Sequence, residues 1–267
     1  MASHRSGAGD PARTLELLWR KDLPTPSGQR GPKPTLSVDA IVVAGIALAD
    51  EEGLDALTMR KLAERLSVGP MTLYTYVPGR AEVVDLMLDW LYARMERRAP
   101  RGTGWRARLE AVAHDNRALH ERHGWLAEVS TLRPPLGPGL MEKYEYELGA
   151  LDGIGLEDVE RDAALSFVLG FVESTARASA AATAAKRESS QSDAEWWSAN
   201  APLLGRILDP ARYPLASRVG SAAGAAHGAT LDPDHAFHFG LERVLDGLDA
   251  LVSRKGRKRP GPPRQAP

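Results

Sequence analysis

The chain has 267 residues, 43% of them apolar and 26% charged, an ordinary balance for a water-soluble protein with a sizeable core. It contains no cysteine, which excludes disulfides, thiolate zinc sites and cysteine nucleophiles. The formal net charge of −1 is unevenly spread: residues 1–37 and 253–267 are basic and the stretch between them is acidic. Such ends suit contact with a polyanion, and equally suit tails that only keep a chain soluble.

The N-terminus lacks the apolar core of a signal peptide and no run approaches the length of a bilayer span, so a soluble cytoplasmic protein without membrane contact is expected. Residues 1–36 read as a flexible basic arm of Gly, Pro and Ser clusters around one short helical candidate, "TLELLWRKDL". In "QRGPKPTLS", Arg30 and Lys33 stand just before the first firm helix, where a basic arm either enters a minor groove or trails in solvent. Val38, Ile41, Val42, Gly45, Ile46 and Ala49 then recur at helical spacing, which predicts a helix over 38–52 with Ser37 as cap and Gly53 as stop. Thr58 starts a second helix, with Leu57 and Leu62 placed as a hydrophobic staple. Ser67-Val68-Gly69 breaks it, and Pro70 opens a third over 70–76, because a first-turn position needs no N–H. Helix, short turn, short helix is a helix-turn-helix.

On that third helix Leu73 and Val77 share an inward face. Met71, Thr72 and Thr75 point away from it, flanked by Tyr74 and Tyr76, so the outer face has no charge and is built of hydroxyls, aromatic rims and a thioether. A solvated face carries Lys and Glu, and a core face does not carry two threonines. A DNA major groove fits it: threonine and methionine meet thymine methyls, hydroxyls serve base edges, and tyrosine hydroxyls reach phosphates. Arg60, Lys61, Arg65 and Arg80 surround it, opposed between 58 and 80 only by Glu64.

"AIVVAGIALADEEGLDALTMRKLAERLSVGPMTLYTYVPGRAEVVDLML" resembles the DNA-binding domain of the tetracycline-repressor (TetR) family, most specifically in "EEGLDALTMRKLAERLSV" and "TLYTYVPGRAEVVDLM". The resemblance implies that Thr58 and Arg60 touch DNA from the second helix and that Pro70, Met71, Thr72 and Thr75 enter the groove. It further implies that Tyr74 and Tyr76 meet backbone or base rim and that Arg80 holds a phosphate. Many members carry Lys where Arg80 stands and His or Phe where Tyr76 stands, so the operator sequence does not carry over.

Later segments stay helical: about 81–97, 104–122, a short piece at 125–131, and 138–152 after the break "RPPLGPG". Two long helices follow, one over about 156–185 with Val159, Ala163, Phe167, Gly170, Phe171 and Ser174 on one side, and a last one capped by Asp232. Between them, 178–231 begins Ala-rich and then reads as a long connection around Trp196 and Trp197. The expected fold is all-α, divided into an arm (1–36), a three-helix DNA-binding domain (37–82), a larger ligand-binding and dimerisation domain (83–253) and a basic tail (254–267). The resemblance implies a homodimer built on the two long helices, and a pocket for a small, amphiphilic effector such as an antibiotic or metabolite. Its candidate lining is Trp90, Trp105, Asn116, Trp125, Met141, Tyr144, Phe167 and Phe171.

His114, His120 and His123 do not share one helical face, so surface or capping roles are expected rather than a metal site, and no cofactor is expected. No phosphate loop, nucleophile elbow or zinc-protease motif speaks for an enzyme. The leading reading is a ligand-responsive homodimeric repressor that leaves a palindromic operator when its effector binds. The alternative is a DNA-binding regulator or activator governed by a protein partner.

Overall fold

The computed structural model describes residues 4–23, 36–189, 192–227 and 232–258. Arg30, Lys33 and the last nine residues of the tail lie outside these. Among the described residues the fold is all-α: α1 (Pro11–Leu18), α2 (Val38–Glu52), α3 (Met59–Arg65), α4 (Pro70–Tyr74), α5 (Arg80–Ala93), α6 (Trp105–Arg122), α7 (Pro138–Gly149), α8 (Asp158–Ser189), α9 (Asp193–Ile207), α10 (Pro214–His227) and α11 (Pro233–Lys258). One two-residue bridge joins β1 (His4–Arg5) in parallel to β2 (Val129–Ser130), too short to show any alternation in sequence.

Local chemistry sets the helix-turn-helix. Ser37 accepts the Ala40 N–H at 3.1 Å and Thr58 accepts that of Lys61 at 3.2 Å, each satisfying a donor that the first turn leaves free. Leu57 and Leu62 are both buried, as a staple requires. At the end of α3 the Ser67 N–H reaches Glu64 O and the Val68 N–H reaches Ala63 O, a Schellman motif with Ser67 at φ 55° in the left-handed position that glycine ordinarily fills. The chain thereby reverses and delivers Pro70. The last turn of the expected third helix tightens into three-residue bonds, Thr75 N–H to Thr72 O and Tyr76 N–H to Leu73 O.

Two apolar clusters hold the molecule. One gathers Ile41, Ile46, Leu62, Leu73, Val77, Met87 and their neighbours, and extends to Trp125, Leu126 and Val129 beyond α6. The second packs Leu109 and Val112 of α6 against Leu165, Val168 and Val172 of α8 and Phe237, Leu241 and Leu245 of α11. A Cβ on Gly240 would stand 2.5 Å from the Phe171 ring, so α8 and α11 touch where only hydrogen fits.

Two expectations need correction. Residues 4–23 are not a free arm: α1 is capped by Asp10, packs on α5 and sinks Leu17 and Leu18 into the first cluster, while Trp19 Nε1 donates to Leu136 O at 2.7 Å. Its amphipathic pattern was legible, but the surface that receives it was not. The connection expected across 186–231 contains α9 and α10. Ser192 and Glu195 form a capping box that starts α9, and Pro214 stands at the first position of α10.

Candidate DNA-reading face and effector cavity

The α4 face has the composition its sequence implied. Leu73 and Val77 are fully buried, whereas Pro70, Met71, Thr72, Tyr74 and Thr75 are exposed, Met71 to 76%. Tyr76 is half-buried against the first cluster. Thr75 Oγ1 donates to Thr72 O at 2.7 Å, which leaves its lone pairs and methyl outward.

The cations around this face are less free than their sequence neighbourhood indicated. Lys61 pairs with Glu52 at 2.6 Å, Arg65 with Glu51 at 2.5 Å and Arg60 with Glu64 at 3.3 Å, so the end of α2 supplies two carboxylates that spacing along α3 did not reveal. Exposed pairs of this kind contribute little, and phosphates can replace the carboxylates at small cost. Arg80 differs. Its Nε and Nη2 donate to Leu57 O at 2.6 Å and Leu54 O at 2.8 Å, and Nη2 lies 3.2 Å from His4 Nδ1. Its guanidinium closes the turn between α2 and α3, and this interior bonding stands where a phosphate clamp was expected.

Behind this domain lies a cleft of about 700 Å³. One wall is the C-terminal end of α2, Ala49 to Gly53; the others come from α6 (Arg117, His120), Trp125 and the Thr175–Ala184 stretch of α8. A smaller hollow of about 100 Å³ is lined by Tyr92, Asn116, Lys143, Thr131 and Glu173, and His120 borders both. In the wall of the hollow, Lys143 Nζ donates to Glu147 Oε1 at 2.6 Å, and Asn116 Nδ2 donates to the same oxygen at 2.6 Å. Burial, reinforced by Lys143 and Arg177, lowers the His120 pKa to about 4, so the ring is neutral near pH 7. Its Nδ1 is buried and has no hydrogen-bond partner among the described residues. Burial and then the Glu147 charge push the Tyr92 hydroxyl up, which keeps it protonated.

Comparison with known proteins gives these features a common context. Residues 41–87 match the family model described as "Bacterial regulatory proteins, tetR family", and 99–252, more than half the chain, match "Tetracyclin repressor-like, C-terminal domain". The chain belongs to the TetR family. It is 44% identical over 97% of its length, and 93% of the relative's, to the HTH-type transcriptional repressor DrrR1 of Streptomyces coeruleorubidus. Among solved structures it is similar to the Streptomyces coelicolor TetR-family protein ActR in complex with actinorhodin. That similarity has 29% identity and a TM-score of 0.67, and covers 81% of this chain and 96% of that one. ActR with (S)-DNPA gives 30% and 0.65, covering 81% and 98%. The chain is therefore a DNA-binding transcriptional regulator and not an enzyme.

Within this TetR-family chain, the eight candidate lining residues fall apart. Asn116 borders the hollow and Trp125 the cleft, its Nε1 donating to Asp50 at 2.8 Å. Neither cavity includes Trp90, Trp105, Met141, Tyr144, Phe167 or Phe171. Trp90 lies under the Arg94 guanidinium, Trp105 and Phe171 pack on the second cluster, and Tyr144 donates to Asp162 at 2.7 Å. Met141 and Phe167 face outward, because these apolar side chains sit on the far sides of α7 and α8.

Sequence reasoning missed His120, Tyr92, Lys143, Glu147 and Glu173. The signal was the i, i+4 spacing of Asn116 with His120 and of Lys143 with Glu147, which places polar pairs on one inward face. The surface role expected for His120 is wrong for the same reason. His123 is the C-cap of α6 and lies 2.9 Å from Asp50, and His114 packs edge-on against Phe237. Among the described residues no three His, Asp or Glu side chains converge as a metal site, and no helix is long and apolar enough to cross a membrane.

Proposed function

We propose that this regulator is a homodimeric repressor whose operator affinity is lowered by a small amphiphilic molecule bound in the cleft and hollow. One observation carries the reading: the cleft wall includes Ala49 to Gly53, the end of the helix against which α3 packs, and α3 in turn packs on α4, so an occupant touches the DNA-binding domain itself. Its volume lies in the range of small-molecule sites, with a few polar groups set in an otherwise mixed lining. The resemblance to ligand-bound ActR supports the same reading.

Dimerisation is supported by the face that α8 turns outward. Val159 is 82% exposed and Phe167 58%, beside Ala163 and Gly170, while Ala164, Leu165, Val168 and Val172 of the same helix face the core. Two recognition helices related by a two-fold axis then read successive groove faces about 34–36 Å apart, and a ligand that alters that spacing releases DNA. The α4 face reads bases from Pro70, Met71, Thr72 and Thr75, while Thr58, Arg60, Lys61, Tyr74 and Tyr76 position the unit on the backbone. Selecting duplexes from random-sequence DNA and titrating the complex with actinorhodin and other amphiphilic polyketides tests the proposal. A palindromic duplex released by at least one of these supports it; binding that no compound affects favours control by a protein partner.

A further inference from the structure

α5 connects the DNA-binding domain to the rest of the chain, and it carries Glu82, Asp85 and Asp89 at i, i+3 and i+7, all buried. Buried carboxylates need donors. Asp89 receives the Leu140 N–H at 2.8 Å, at the start of α7. The other two are served from the beginning of the chain: the Gly7 N–H reaches Asp85 Oδ1 at 3.1 Å and Oδ2 at 3.2 Å, and the Asp10 N–H reaches Glu82 Oε1 at 3.1 Å.

The same short segment is fixed on its other side to the cavity wall. His4 and Arg5 pair with Val129 and Ser130, the Ser6 N–H reaches Ser130 O at 3.0 Å, and Ser6 Oγ donates to Arg133 O at 2.6 Å. Val129 and Thr131 line the hollow, and Trp125 and Glu128 line the cleft. His4 Nε2 lies 2.9 Å from Asp55 and its Nδ1 faces Arg80, so the segment also reaches the turn before α3.

The fit is close enough to dictate residue type. Gly7 sits at φ 65°, and a Cβ there would stand 2.9 Å from Arg133 Cβ; one on Gly9 would overlap Glu82 Oε1. Ser6 is itself buried. A solubilising tail requires none of this.

We propose that residues 4–10 are a strap that couples the cavity wall at 125–133 to α5 and the DNA-binding domain, so that motion of the wall is passed to the recognition helices. This rests on the cavity-controlled repressor reading. Any such coupling is reciprocal: DNA on the recognition helices must alter the wall as much as a wall ligand alters DNA binding. No effector is therefore needed for the test.

Hydrogen exchange of segment 125–136 is measured in the full chain with and without a duplex selected by the intact protein. Duplex binding is expected to change exchange there by roughly fivefold or more, the low end of ordinary coupling between sites. Gly7→Pro removes the donor to Asp85 and forbids the positive φ. It should still bind the duplex and keep its helical circular dichroism, with the exchange response reduced to less than about half. Ser6→Ala removes only the Oγ bond to Arg133 O and is read in the same way if Gly7→Pro does not fold. A full response in a folded, DNA-binding variant overturns the strap; failure to select any duplex overturns the DNA-reading face as well.

Discussion

The DNA-reading unit and the body behind it treat polarity in opposite ways. Around α2 to α4 the interior is aliphatic and the free face carries hydroxyls and aromatic rims. Among α6, α7 and α8 the interior holds Lys143, Glu147, Asn116 and His120, while Val159, Phe167 and Phe239 stand outside. Ile207 on α9 and Leu215 and Val219 on α10 extend the same apolar exterior. A hydrated groove is met by groups that exchange hydrogen bonds with water at little cost, whereas a partner chain is met by groups that leave water. A molecule received inside needs polar groups where a plain core would have none.

The sharpest way to break this contrast is Lys143→Met, which strands a buried Glu147 charge; unfolding in denaturant should register a loss of roughly 3–5 kcal/mol. Lys143→Met with Glu147→Leu should recover most of it. Next comes pH. His120 is held neutral in the fold down to about pH 4, while the unfolded chain takes up its proton near 6.5. The stability it contributes is fully present above 6.5 and is lost as pH falls towards 4, on the order of 3 kcal/mol. Midpoints followed across that window should flatten in His120→Gln.

Outside, Phe167→Glu should weaken self-association by about 2 kcal/mol or more, read by sedimentation, and Met71→Glu should not. On the other face, Arg60→Ala should weaken binding to all duplexes alike and reduce the salt slope by about 1, as loss of a phosphate contact does; a change confined to one base position would show that it reads a base instead. The smallest effect is Ser67→Gly, which relieves a left-handed serine and should raise the unfolding midpoint by up to about 1 kcal/mol of stability.

What could be read from the sequence followed the same divide. Ser37, Thr58 and Pro70 announce helix starts by rules that act within four residues, and Leu73 and Val77 declare their face by spacing alone. The outward tilt of Met71 and Thr72 was legible for the same reason. The inward bonds of Arg80 could not be read because its acceptors, Leu54 O and Leu57 O, are backbone atoms more than twenty positions away. The cavity was largely hidden because Lys143, Glu147 and Asn116 have the composition of a wet surface and are dry only through their packing in the fold. The start of α9 was passed over: Ser192 and Glu195 spell out its capping box, but inside a run otherwise low in complexity that reads as a connection.

Ser6 and its partner Ser130 are 124 positions apart. On a ribosome, which makes the chain in order, residues 4–6 must wait for more than a hundred later residues to emerge before their seat exists. A segment made long before its seat is thus among the last to settle, and its docking is not complete until α6 and the bridge after it have formed.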